Sequence, residues 1–240
     1  MAAGVGRLIN PGIDLASSER AVQLAEEHPE VYAAVGVHPN DCGSFAESDI
    51  AALHRLAGRP KVVAIGEVGL DFYWKETSRQ QQERALWAQL ELTAELQLPV
   101  ILHSRESHAE LLGILRKWCN RSQDRGASGG ILGVWHAFSG DFGQAEEACD
   151  LGLMLGLGGP LTYRNAGRLR ELAPQLRRDR LVLETDSPYL APMPFRGKRN
   201  EPANLPLIAD ALGALFGVES GEIVAASDEA IARCFDIGDR

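Results

Sequence analysis

Five residues able to bind a metal or move a proton stand at or just beyond the ends of short apolar runs: His38, Glu67, His103, His136 and Asp186. Glu67, His103, His136 and Asp186 together make the mixed nitrogen and oxygen donor set of a divalent hydrolytic site. An ion held there lowers the pKa of a bound water from 15.7 toward about 7. A carboxylate at the edge of such a site can orient that water and take its proton. Each residue alone has an ordinary reading, as a hydrogen-bonded scaffold histidine or as a glutamate that caps a helix. One shared site explains four such coincidences more economically. Glu184 lies two positions before Asp186, so both could face inward while Thr185 faces the helix layer. His28, His54 and His108 fall in helix or loop contexts and read as surface residues.

The elements that must position these groups alternate down the chain. Strands are expected at Arg7–Asn10, Val31–Val37, Lys61–Gly66, Pro99–His103, Ile131–His136, Leu153–Gly158 and Leu181–Thr185. Each is a brief Val/Ile/Leu-rich run, the pattern of strands buried on both faces of a parallel sheet. Between them, Thr77 and Gln80 fit a capping box ahead of a helix with Leu86, Trp87, Leu90 and Ala94 on one face. Leu111, Leu112, Leu115 and Trp118 repeat that spacing. Ser122–Gly130 reads as a polar loop, and helices are expected at about Leu205–Phe216 and Ser227–Phe235. The chain is expected to form one α/β domain over residues 1–240. Of the two architectures open to it, a doubly wound sheet and a (β/α) barrel, the polar strand ends favour the barrel, because a barrel gathers them on one face.

The 240 residues carry 24 Lys and Arg against 33 Asp and Glu, a net charge of −9. That balance excludes a protein gripping nucleic acid with its whole surface, but not one with a local basic patch. Cys42, Cys119, Cys149 and Cys234 form no close pair, so reduced thiols in a cytoplasmic protein are expected. No apolar run reaches the roughly 18 residues of a membrane span, and the N-terminus has no signal-peptide pattern.

The strings Ala34–Pro39, Gly66–Asp71, Pro99–Arg105, His136–Gly140, Glu184–Pro188 and Arg199–Pro202 resemble, in order, those of the TatD family of metal-dependent deoxyribonucleases. The resemblance runs from about residue 7 to the end. It implies an amidohydrolase-like TIM barrel with one or two divalent ions (Mg, Mn or Zn) that hydrolyses DNA phosphodiesters. It further implies single strands or 3′ ends as substrate, with 3′-to-5′ trimming. By position, Glu67 resembles the carboxylate shared by two metals, and His103 and His136 the other ligands of the second. Asp186 resembles the first-site ligand that also orients or deprotonates water, and His38 a pocket residue placed for a phosphate contact. Many members open with a strand bearing Asp-x-His-x-His and a helix, and here only six residues precede the equivalent of Arg7–Gly12. The expected fold is therefore a TIM-like barrel with seven of eight strands, lacking the first strand and its helix. Either the recorded start is internal to a longer chain, or this is a truncated, weakened member; the intact ligand strings favour the former.

For substrate, Arg105, Arg199 and Asn200 are the candidate contacts, with Arg105 able to clamp a phosphate. The Arg164–Arg180 cluster reads as a solvated helix face ahead of a DNA contact. Tyr73, Trp74, Phe138, Tyr163, Tyr189 and Phe195 fall in loops where bases could stack. A monomer without membrane attachment is expected. Two alternatives stay open: hydrolysis of a small amide, lactone or phosphoester, and an inactive relic that binds nucleic acid or a partner.

Overall fold

The structure is a computed structural model that describes residues 3–121, 132–235 and 237. Seven strands form one sheet: β1 (Leu8–Pro11), β2 (Val31–Val35), β3 (Val62–Asp71), β4 (Val100–Arg105), β5 (Gly133–Trp135), β6 (Leu153–Leu157) and β7 (Leu181–Leu183). Spatial order equals chain order and every pairing is parallel. Parallel neighbours need crossovers, and helices supply them: α1 (Leu15–Glu27), α2 (Glu47–Ala57), α3 (Arg79–Leu96), α4 (His108–Arg121), α5 (Phe142–Asp150) and α6 (Gly167–Leu172). Two longer helices follow the last strand, α7 (Leu205–Phe216) and α8 (Ser220–Cys234).

The alternation of side chains divides the core in two. Outward residues such as Val35, Leu102, Trp135 and Leu155 meet the helices. Inward residues Ala34, Ala64, Ile101, Val134, Met154 and Val182 form one cluster spanning β2 to β7, so the sheet curls until its far strands share a lumen. Among the described residues β1 and β7 do not pair with each other. The end of α8 lies across that opening: Ala230, Cys234, Phe235 and Ile237 are buried in the lumen cluster. Ser227 Oγ accepts the Leu183 N–H of β7 at 2.9 Å, and Arg7, just before β1, donates to the Ile237 carbonyl at 2.8 Å.

Three local expectations change. The capping box before α3 is Ser78 with Gln81, one residue later than Thr77 with Gln80. The Thr77 hydroxyl instead donates to the Pro39 carbonyl at 2.7 Å, tying α3 to the loop after β2. Helix α8 starts at Ser220, seven residues before the expected Ser227, and the added turns place Ile223 on the buried face that Ser227, Ala230 and Cys234 continue. The third strand runs on to Asp71 instead of stopping at Gly66. The expected loop Ser122–Gly130 and the start of the fifth strand at Ile131 lie outside the described residues.

Candidate metal centre

Strand β3 passes Glu67 without ending because its ladder with β4 slips there. Ile65 pairs with Val100 and Val68 with Leu102, so two residues of β3 oppose one of β4. Such a bulge re-aims a side chain while pairing resumes beyond it. The resumed ladder is tight at Gly69, whose φ is +152 and where a Cβ would stand 1.9 Å from the His103 carbonyl oxygen. Only glycine fits that approach. Glu67 is 9% exposed and its N–H donates to the Gly12 carbonyl at 2.9 Å.

His103, on β4, sits between two carboxylates. Its Nδ1 is 2.9 Å from Glu67 Oε1 and its Nε2 is 3.2 Å from Asp71 Oδ2. Asp71 is 1% exposed and also accepts from Asn40 Nδ2 at 3.2 Å, so its position is fixed from three directions. His38 stands edge-on to His103 with ring centroids 4.4 Å apart, and its Nε2 is 3.8 Å from Glu67 Oε1. Ligand atoms of His38, Glu67 and His103 all lie within 4.8 Å of one another, the separation one cation can span. The Asn40 N–H donates to His38 Nδ1 at 3.2 Å, which places the proton of the neutral ring on Nε2.

His136 follows the three-residue strand β5 directly. Its Nδ1 donates to Glu184 Oε2 at 2.9 Å, leaving Nε2 aimed between Glu67 Oε1 at 4.0 Å and Asp186 Oδ1 at 3.6 Å. A carboxylate behind the far nitrogen is how a ligating histidine is usually oriented. Glu184 is itself held by the Ala137 N–H at 2.8 Å. It occupies space that Gly156 leaves open, since a Cβ there would stand 2.1 Å from Glu184 Oε2. Ala137 and Asp186 both take left-handed backbone, with φ of 46 and 56, so the turns after β5 and β7 are strained where the side chains converge.

Charge follows from this packing. Burial alone would raise the Glu67 carboxyl, but the His103 hydrogen bond and the charges of His136, His103 and His38 outweigh it and bring it to about 2. Asp71 shows the same opposition and falls well below the usual carboxylate range. Burial resists protonation of both site imidazoles, yet the Asp71 and Glu67 bonds raise His103, and Glu184 above all lifts His136 to about 10. His38, buried and beside His103, drops to about 4 and is neutral. Asp186 rises to about 6, first through burial and then through Glu184 and Glu67, against the opposing pull of His136. Four carboxylates around imidazoles that hold extra protons is a donor set suited to a divalent cation, whose charge replaces those protons.

The expected site residues Glu67, His103, His136, Asp186 and His38 thus meet at one end of the sheet. Arg105 is exposed near them, its guanidinium 3.7 Å over the Tyr73 ring. Arg199 is exposed, whereas Asn200 is 2% exposed and fully engaged. The Asn200 amide donates to the Thr185 and Tyr189 carbonyls and its Oδ1 accepts from Glu201 N and Asn204 Nδ2. Asn200 therefore braces the loop after β7 and has no atom left for a substrate. Phe138 is buried at 2% and offers no face to a base. His108 is half-buried, stacked on Trp135 and 3.1 Å from Ser139 Oγ, instead of lying on the surface. Arg177 and Arg178 pair with Asp150 and Glu222, and with Arg180 they precede β7, at the end of the strand away from the site. Asp71, Asn40 and Glu184 hold the site together without having been given a role from sequence. The spacing Glu184-x-Asp186 was the one available signal.

The chain matches the model of the family described as TatD related DNase over residues 1–236. It is 36% identical to the uncharacterized metal-dependent hydrolase YabD of Bacillus subtilis over 97% of this chain and 88% of that one. It is 38% identical to the 3′-5′ ssDNA/RNA exonuclease TatD of Klebsiella pneumoniae over 98% of this chain and 89% of that one. Among solved structures, the TatD homologue YjjV of Escherichia coli superposes with a TM-score of 0.89 at 32% identity, covering 98% of this chain and 88% of that one.

Proposed function

The chain belongs to the TatD related DNase family of metal-dependent hydrolases, and within it we propose that this protein cleaves DNA phosphodiesters, trimming single strands from the 3′ end. The observation that carries the reading is the meeting of Glu67, His103, His136 and Asp186 around one point at the strand ends. The relatives named as single-strand exonucleases supply the substrate and the polarity.

Glu67 is the central ligand, because its Oε1 faces His38, His103 and His136 at once. His103 contributes Nδ1 once Asp71 has fixed its proton on Nε2, and His136 contributes Nε2 once Glu184 has fixed its proton on Nδ1. A divalent cation bound there would activate water and neutralise charge building on the phosphoryl oxygens. Asp186 orients the attacking water and accepts its proton. His38, neutral with its proton on Nε2, donates a hydrogen bond to a phosphate oxygen. Arg105 and Arg199 draw the strand to the mouth. Cleavage adds water across the P–O bond, so one fragment keeps a hydroxyl and the other a phosphate. The unpaired thiols agree with work in a reducing, cytoplasmic compartment.

The test is a 5′-labelled single-stranded oligonucleotide incubated with Mg, Mn or Zn. A ladder shortening from the 3′ end, absent with chelator, is the expected result. Turnover of simple esters or cyclic amides with an intact oligonucleotide would overturn the reading in favour of a small-molecule hydrolase.

A further inference from the structure

We propose that Tyr73, Trp74 and Arg105 form a stacking platform for a nucleobase of the substrate strand, a proposal that rests on the nuclease reading above. Tyr73 and Trp74 are 46% and 47% exposed, although each carries a large apolar ring. A single exposed aromatic would need no explanation. These two are adjacent, their rings perpendicular with centroids 5.0 Å apart, so one ring offers a face while the other walls it. The Arg105 guanidinium lies 3.7 Å over one face of Tyr73, which it covers, and 5.8 Å from Trp74, so the Trp74 ring is the surface offered to a base and a cation stands beside it.

The platform is fixed to the metal centre. Asp71 Oδ1 accepts from the Tyr73 and Trp74 N–H groups at 2.9 and 3.2 Å, while its Oδ2 holds His103 Nε2. One buried carboxylate therefore sets both the turn carrying the rings and a histidine of the site. Arg105 stands two residues after His103 on the same strand, and its carbonyl accepts the Phe72 N–H at 2.9 Å. The turn that carries the rings is held at its backbone, which lowers the cost of ordering a stacking surface. Stacking reads the π-face that all bases share, so the platform confers a preference for base-bearing strands without sequence selectivity.

Trp74 is the one exposed residue among the four tryptophans, and its emission reports occupancy directly. The metal-loaded protein would be titrated with a short phosphorothioate-linked oligothymidylate and with an abasic oligomer of the same length. Base-dependent quenching, lost in Trp74→Phe, is expected. Tyr73→Ala and Trp74→Ala should each lower kcat/KM on a base-bearing strand by about 5- to 150-fold, the range for one stacked base. Both should bring its ratio to the abasic strand close to one. Equal quenching by both oligomers, or none, overturns the platform. Cleavage of base-bearing and abasic strands at equal rates would also overturn it while leaving the nuclease reading standing. Quenching without cleavage of either strand would keep the platform and sink the nuclease.

Discussion

The two flanks of the centre are built differently. On the β3/β4 side, Glu67, Asp71 and His103 come from the longest strand and its neighbour, the two carboxylates are almost fully buried, and the three are joined by bonds of 2.9 and 3.2 Å. On the β5/β7 side, His136, Glu184 and Asp186 follow strands of three residues and enter through left-handed turns. The Asp186 side chain there is still 30% exposed and no closer than 3.6 Å to His136 Nε2. A ladder running past a bulge locks its side chains, whereas a short strand ending in a strained turn leaves them reach. Holding a cation needs the first kind of structure. Meeting water and substrate from solvent needs the second.

The sharpest way to break this contrast is Asp186→Asn. Loss of the proton acceptor should cost about 10³-fold in kcat, close to 4 kcal/mol, while metal affinity falls far less than activity. Equal loss of metal would erase the division of labour. Asp71→Asn should act the other way round, weakening metal affinity by about 10- to 100-fold, as read by calorimetric titration, because His103 loses the partner that fixes its proton. Glu184→Gln should lower kcat by about 10-fold, since the amide oxygen still accepts from one neighbour but the His136 Nδ1–H loses the carboxylate that orients the ring. Ser227→Ala is the smallest and serves as a check on scaffold alone. Leaving the Leu183 N–H at the β7 edge without its acceptor should cost about 1–3 kcal/mol in thermal or urea unfolding, with metal affinity unchanged.

The same contrast explains what was legible in the sequence. Strand–helix alternation and parallel order follow from short buried runs, and the bounds of α7 coincide with the apolar stretch Leu205–Phe216. His103, His136 and Asp186 are readable because each closes such a run. Asp71 is not, because its role depends on the β3 bulge, which no spacing displays; for Glu184 the two-residue spacing to Asp186 shows only that it can face inward, and its place behind His136 depends on the space at Gly156. Asn200 misleads for a related reason: a polar residue beside an active-site loop looks like a substrate contact until its whole amide is found bracing that loop. The lumen seal by Phe235 and Ile237 was equally invisible, since a terminal apolar pair has no period to read.

The central claim is that one carboxylate, Glu67, joins the two flanks through a metal. Its most direct test is Glu67→Gln assayed for bound metal and for shortening of a 3′-terminal single strand in the same preparation. The account predicts that metal retention and trimming fall together, with activity down on the order of 10³-fold and the fold intact by circular dichroism. Undiminished trimming by that variant, or metal-independent trimming by the wild type, would contradict it.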